Sequence, residues 1–271
     1  MRIEDYFDKN EKPLDRLLPD AGFCGIFRTI ACIGDSLSSG EFVIDDENGN
    51  RHWYDMFEYS WGQYIARAAG SQVYNFSKGG MSAREYISNF ADKMGYWDRA
   101  KAAQAYIIAL GVNDLRVWRG GGNEHISVGT ADDRGTDAET FARYYCEIID
   151  KYKKIQPDAK FFLMTMVRSG DSEVDAKVDA HAKLLHDIAD MDSNCYVIDF
   201  NKYGPVYDTE FEKKFYMCGH LTPAGYVLTA KMVMSYIDYI IRHNIRDFDL
   251  VGLIGKYPEL KELEKCRNMT L

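Results

Sequence analysis

Phe27-Arg28-Thr29-Ile30-Ala31-Cys32-Ile33-Gly34-Asp35-Ser36-Leu37-Ser38 is the stretch on which the fold turns. The run Phe27–Ile33 is apolar almost without interruption, as a strand covered on both faces must be. Gly34 then permits a sharp turn, and a serine falls at the start of the next element. A serine in that position stands above the sheet with free backbone amides around it. Capping a helix is the common fate of such a serine, and the tripeptide alone does not separate capping from chemistry. Gly170-Asp171-Ser172 repeats it, and Ser172, followed by Glu173 and Asp175, reads as an ordinary cap.

Outward from this stretch, four more runs have the same buried-strand character: Gln72–Phe76, Tyr106–Leu110, Lys160–Val167 and Cys195–Phe200. Helical periodicity separates them over Trp61–Ala69, Ala138–Ile155 and Glu173–Met191, and Pro223–Arg242 comes after the last. Strand and helix in alternation predict a three-layer α/β/α sandwich around a five-stranded parallel sheet. No repeat or linker divides the chain, so residues 1–271 are expected to form a single domain. Residues 1–26 are read as an N-terminal extension and 244–271 as a tail packed on the domain by a turn and a short helix. Two segments break the alternation: Glu41–Ser60, acidic and aromatic, and Arg116–Asp137, which holds Gly120–Gly122. Both come after strands at the edge where an open parallel sheet keeps its ligand crevice, and long loops there carry function more often than not.

Composition narrows the classes. With 46% hydrophobic and 28% charged residues, the chain has an ordinary globular profile and enough length to bury a core unaided. A net charge of −9 disfavours nucleic acid and anionic membrane as partners, since both require a basic face. The cysteines lack CxxC spacing, and His181 and His186 lack the HExxH spacing, so no metal site is expected. Cys32, inside an apolar run, reads as a buried thiol. No cofactor is implied, because Gly34–Gly40 is neither a dinucleotide nor a Walker phosphate loop. Arg2, Glu4, Asp5 and Asp8 occupy the place of a signal peptide's apolar region. No stretch is long and apolar enough to span a bilayer. A cytoplasmic protein is the default expectation; a chain trimmed of its leader would read the same.

Three further segments decide between the two serines. Asn75-Phe76-Ser77-Lys78-Gly79-Gly80 comes after the second strand, and Gly111-Val112-Asn113-Asp114 after the third. His220-Leu221-Thr222-Pro223-Ala224-Gly225-Tyr226 opens the last helix, with Thr222 as its cap and Pro223 at its first position. A parallel sheet gathers all of these at one carboxyl edge. Ester hydrolysis needs the same set: a nucleophile, a base and donors for the oxyanion.

From about Thr29 to Tyr226 the chain resembles the GDSL/SGNH hydrolases, whose Ser, Gly, Asn and His blocks occur here in the family's order. The resemblance implies a flavodoxin-like SGNH fold and a serine esterase that works through an acyl-enzyme. Ser36 would be the nucleophile and His220 its base. The N–H groups of Ser36 and Gly80 and the Asn113 amide would form the oxyanion hole. Gly80 is preferred to Gly79 because Gly80-Met81-Ser82 fits the family's G-x-[ST] spacing. Asp35 and Asp114 are assigned loop-organising hydrogen bonds rather than proton transfer.

The sequence departs from the family's D-x-x-H block at Met217, where the acid that orients the histidine would stand. A backbone carbonyl could take over that role, or a different acid, with Asp199, Asp208 and Glu210 as candidates. Family members act on lipids, thioesters, acetylated sugars and peptidoglycan. Trp53, Trp118 and Arg119 on the two insertions suit stacking on a sugar ring, although a satellite core is the commoner fate of such aromatics; the reading leans toward a short acyl group such as acetate on a carbohydrate. A lipase or thioesterase is the alternative within the family. From another class, Met217 favours a binding protein that has kept the crevice without turnover.

Overall fold

The computed structural model describes residues 7, 8, 10–115 and 125–256. The first strand, β1 (Thr29–Gly34), runs into a single helical turn, α1 (Ser36–Ser39). Next is an antiparallel hairpin, β2 (Glu41–Asp45) and β3 (Arg51–Asp55). Helix α2 (Trp61–Ala69), β4 (Gln72–Asn75) and β5 (Ala105–Ala109) come after it. The chain continues through α3 (Phe141–Ile155), β6 (Lys160–Met164), α4 (Ser172–Asp190) and β7 (Cys195–Ile198). It closes with α5 (Thr209–Phe215), a small hairpin of β8 (Tyr216–Met217) and β9 (His220–Leu221), and α6 (Pro223–His243).

The five strands expected from their apolar runs form one parallel sheet in the order β4-β1-β5-β6-β7. Their side chains alternate between two cores, as a strand's two-residue period requires. Ala31 and Ile33, Tyr106 and Ile108, and Phe161 and Leu163 face α3 and α4. Ile30 and Cys32, Ala105 and Ile107, and Phe162 face α2 and α6. Both faces are therefore dry, which is why the strands read as unbroken apolar runs rather than alternating ones.

The helices start where their caps dictate. Ser60 accepts from Gln63 N, Thr140 from Arg143 N and Thr222 from Gly225 N. Asp171 accepts from Glu173 and Val174 N, so the capping side chain at the second GDS copy is the aspartate, and Ser172 is the first helical residue. The described part of the N-terminal extension lies along α6, where Ser235 Oγ accepts from Leu18 N and Asp238 from Phe23 N. The described part of the tail forms 3-10 turns at Ile245–Phe248 and Val251–Leu253, with Phe248 buried beside Phe162. No helix among the described residues is long and apolar enough to cross a membrane.

The largest departure from the expected layout among the described residues, beside the unexpected α5 and β8–β9 hairpin, concerns Glu41–Ser60. Its first fifteen residues are a β-hairpin outside the main sheet, not a loop. Asp46 stitches its turn by accepting from Asn48 and Asn50 N.

Two tyrosines sealed in the core pair with each other. The Tyr86 and Tyr152 hydroxyls meet at 2.7 Å between aromatic rings, and burial raises both well above the usual phenol range. Replacing Tyr152 by Phe leaves the Tyr86 hydroxyl without its partner. Such a loss costs about 1–3 kcal/mol, so urea unfolding of Tyr152→Phe is expected to show a lower midpoint with an unchanged slope. An unshifted midpoint would mean that the hydroxyl pair contributes nothing.

Candidate active site

Reading from β4 to β1 to β5, the sheet reverses its direction of growth at β1. In an open parallel sheet the crevice opens at the carboxyl ends of the strands flanking that point. Residues leaving β1, β4 and β5 meet there.

Ser36 leaves β1 as the first residue of α1. The turn is held by Asp35, whose Oδ1 accepts from Leu37 N at 3.0 Å and whose carbonyl accepts from Ser38 and Ser39 N. The β4 loop is anchored to β1 by Ser77 Oγ, which donates to Cys32 O, and by Lys78 N, which donates to Gly34 O. Lys78 O then accepts from Met81 N, closing a turn with Gly80 at φ +73°. That conformation is open to glycine and strained for most other residues. From β5, Asn113 Nδ2 donates to Met81 O at 3.0 Å, which sets the amide beside the Gly80 turn. Asp114 accepts from Ala83 N through both oxygens at 2.9 Å. These two contacts brace the β4 and β5 loops against each other.

His220 arrives on the β8–β9 hairpin. Cys218 and Gly219 at its tip have φ +50° and +86°, the signature of a two-residue type I′ turn. Met217 pairs directly across the turn with His220. Helix α1 and strand β2 both pack against β9, which brings the Ser36 turn and His220 into one cluster. Ser36 Oγ makes no hydrogen bond among the described residues.

Sequence reasoning missed the residue that His220 does contact. Glu41 Oε1 lies 3.1 Å from His220 Nε2, with the two side chains 11% and 21% exposed. His220 Nδ1 is buried and has no hydrogen-bond partner among the described residues, so no backbone carbonyl takes it. The three acids proposed from sequence are engaged elsewhere. Asp199 accepts from Lys202 N and pairs with His186 Nε2 at 2.8 Å. Asp208 caps α5 through Phe211 N, and Glu210 pairs with Lys213. Helix starts use carboxylates in this way because their first N–H groups lack partners. No local signal marks Glu41 in the sequence, since its partner lies far along the chain.

On the β2–β3 hairpin Glu41 pairs with Asp55 and Val43 with Trp53, so the four share one face. Trp53 on that face is 59% exposed. Trp118 and Arg119 lie outside the described residues. No group of three or more His, Cys, Asp or Glu side chains suited to a metal occurs among the described residues.

Two buried acids flank the cluster. Burial pushes Asp35 up to about 7 against the Leu37 N–H bond and the field of His220. Burial likewise pushes Asp114 up to about 6, against the N–H groups of Ala83 and Arg84. Both values lie above the ordinary 3.8 of the unfolded chain, so the folded state favours the protonated carboxyls. Their contribution to stability is complete below about pH 4 and is lost as pH rises through about 6 and about 7. Asp35→Asn removes one of these losses. The stability of the variant relative to wild type is expected to rise between pH 4.5 and pH 8 by about 1 kcal/mol or more. A difference that stays constant across that range, in denaturant titrations, would contradict the assignment.

Comparison with known proteins gives the family and the fold. Residues 32–228 match the model of the GDSL-like Lipase/Acylhydrolase family. A family two carbohydrate esterase from Clostridium thermocellum, solved with cellohexaose, is 16% identical and superposes with a TM-score of 0.56. That match covers 88% of this chain and 66% of the esterase. A carbohydrate esterase family 2 enzyme with a carbohydrate-binding domain, from Corynascus thermopiles (Myceliophthora fergusii), is also 16% identical with a TM-score of 0.56. It is matched over 79% of this chain and 66% of its own. At such identities the likeness is one of fold. No curated protein sequence matches. The family model spans well over half of the chain and takes in the segments that carry Ser36, Gly80, Asn113 and His220: the protein belongs to the GDSL-like lipase/acylhydrolase family.

Proposed function

We propose that the protein hydrolyses carboxylic esters through Ser36, releasing a short acyl group such as acetate from a carbohydrate. The observation that carries this reading is the meeting of the Ser36, Gly80, Asn113 and His220 segments at the point where the sheet reverses. The chemistry comes from what each group can do. Ser36 Oγ attacks the acyl carbon, and its proton passes to the His220 imidazole. The carbonyl electron pair moves onto oxygen, where the N–H groups of Ser36 and Gly80 and the Asn113 amide can donate to it. Collapse expels the alcohol, which leaves with the proton from His220. Water then repeats the sequence on the acyl-enzyme and frees the acid.

A short acyl group is supported by a small cavity that adjoins the Ser36 turn through Asp35, Leu37 and Ser38. Leu37 and Val112, the neighbours of Ser36 and Asn113, line an apolar cavity with Ala109, Met164, Tyr207 and Tyr216. Its volume is ≈ 70 Å³, about half of the ~150 Å³ that accommodates a benzene ring. A carbohydrate on the alcohol side is supported by Trp53, an exposed indole on the same hairpin face as Glu41. Stacking on a sugar ring would give it a use that burial does not. The two carbohydrate esterases of the same fold are consistent with this choice.

Hydrolysis of p-nitrophenyl acetate and of acetylated xylo-oligosaccharides by wild type and Ser36→Ala tests the reading. Turnover is expected in the wild type and a loss of about 10³-fold or more in the variant. Rates should fall steeply from acetyl to decanoyl esters. Trp53→Ala should raise KM for the oligosaccharide more than for the nitrophenyl ester. Turnover that survives Ser36→Ala would show the nucleophile to be another residue. A wild type inert on all of these esters would favour ligand binding without catalysis.

A further inference from the structure

We infer that His181 is a positioning residue that fixes the loop leaving β5, and with it the Asn113 amide, for the oxyanion; this role rests on the proposed ester hydrolysis. His181 lies on α4, is fully buried and takes no part in the steps assigned above. Its Nε2 lies 3.1 Å from the backbone carbonyl of Leu110. A carbonyl oxygen only accepts, so Nε2 carries the proton and Nδ1 is the bare nitrogen. Nδ1 is buried and has no hydrogen-bond partner among the described residues. A ring with one nitrogen unpaired is a costly way to fill a core, since an apolar side chain would avoid the loss. What the imidazole adds over such a side chain is the bond to Leu110.

Leu110 is where the chain leaves the sheet. The ladders of β5 end at Ala109 beside Gly34 and at Ile108 beside Leu163, so the Leu110 carbonyl lies past both, and His181 supplies its donor. The next residue, Gly111, lies flush against the ring at φ +134°. A Cβ there would fall 2.7 Å from Nε2 and 2.9 Å from Cδ2, nearer than side chains approach. Imidazole and glycine fit each other, and the loop departs from β5 in a fixed direction.

Beyond Gly111 the loop closes on itself, with Leu115 N donating to Gly111 O at 2.9 Å. Asn113 stands inside that turn. One hydrogen of its Nδ2 goes to Met81 O, which leaves the other for the oxyanion. An oxyanion donor is effective only when aimed in advance, and a misplacement of about 1 Å can cost about 10²-fold. Met81 holds the amide from the β4 loop, and His181 holds the start of its loop from α4. Burial lowers His181 to about 4, against the effect of the Leu110 bond, so at neutral pH the ring keeps its one proton for that bond.

The test follows p-nitrophenyl acetate hydrolysis by wild type, His181→Leu, His181→Gln, Asn113→Ala and the double variant of His181→Leu with Asn113→Ala. Thermal unfolding checks the fold of each. His181→Leu fills the space without a donor and is expected to lower kcat by roughly 10–10²-fold, with KM changed by less than about three-fold. His181→Gln carries an N–H near the place of Nε2 and should recover at least about five-fold of that loss. Asn113→Ala should lower kcat by about 10²–10³-fold. Because His181 acts through Asn113, the double variant should match Asn113→Ala within about three-fold, whereas the losses multiply for a histidine that only supports the fold. In ¹⁵N-histidine spectra of the wild type, His181 should be the Nε2–H tautomer and stay neutral from pH 6 to 8.

In an active wild type, losses that multiply, or a His181→Leu kcat within about three-fold of wild type, overturn the role of His181 and leave the ester reading standing. Wild-type kcat in Asn113→Ala also overturns it, since His181 would then have nothing to aim. An inert wild type overturns the ester reading and the role of His181 together. A His181→Leu chain that fails to fold leaves the decision to His181→Asn, whose shorter amide does not reach Leu110, and to the spectra. A lowered kcat with KM kept, restored in His181→Gln, supports the role; wild-type kcat in His181→Asn, or a proton on Nδ1, overturns it.

Discussion

Strand β1 is hydrogen-bonded on both edges to parallel neighbours and covered on both faces by helices. That double confinement is the constraint on which the rest of the site depends. A strand held on four sides cannot slide, because a one-residue slip would turn Ala31 and Ile33 into the wrong core and break both ladders. Its carboxyl end is therefore a fixed point. Ser77 and Lys78 attach the β4 loop to β1 itself, through the carbonyls of Cys32 and Gly34. Asn113 and Asp114 then reference the β5 loop to the β4 loop. Each loop is measured from the one before it, and the first is measured from the core.

The histidine reaches the same place by a separate route. It lies on a two-stranded hairpin outside the sheet, which could not hold a position by itself. Its rigidity is borrowed. Thr222 and Pro223 fix the start of α6, and the Tyr226 ring is buried against Phe42 while its hydroxyl holds the β2 backbone. Helix α6 thus controls both members of the Glu41–His220 contact, one through the chain and one through a hydrogen bond. Both side chains are thereby referenced to a single helix.

Much of this was legible in the sequence. The five strands were visible because parallel, doubly covered strands must be continuously apolar. The start of the last helix was visible because Thr222 caps it through a near neighbour, whereas at the second GDS copy the cap is Asp171 and not the Ser172 read from the sequence. Asp35 and Asp114 could be given loop-organising roles for a related reason: both bond to backbone N–H groups, Asp35 two residues away and Asp114 across a braced turn. What escaped was the β2–β3 hairpin and the partner of His220. The hairpin has one face against the body and one toward solvent, so its apolar residues are few and mixed with acids. Asp199 stood at a strand's carboxyl end, the right edge of the sheet, yet one oxygen caps the next turn through Lys202 N and the other meets His186, a partner set by tertiary placement. Choosing among acids near a histidine requires distances, which no periodicity encodes.

The placement of a carboxylate on β2 beside His220, with Met217 opposite it in the histidine's own hairpin, has a physical consequence. In a D-x-x-H arrangement the acid and the base share one local turn, and their contact is nearly independent of the rest of the chain. Here the Glu41–His220 contact joins the segment just beyond Ser36 to the hairpin that carries His220, and it runs past Gly79. The carboxylate is largely withdrawn from water, where an ion pair is screened less than at the surface but each charge has lost hydration. Such a pair holds only if its geometry is supplied from outside, and here Tyr226, Ser39 and Gly79 supply it. Met217, opposite His220 in the hairpin, is left exposed.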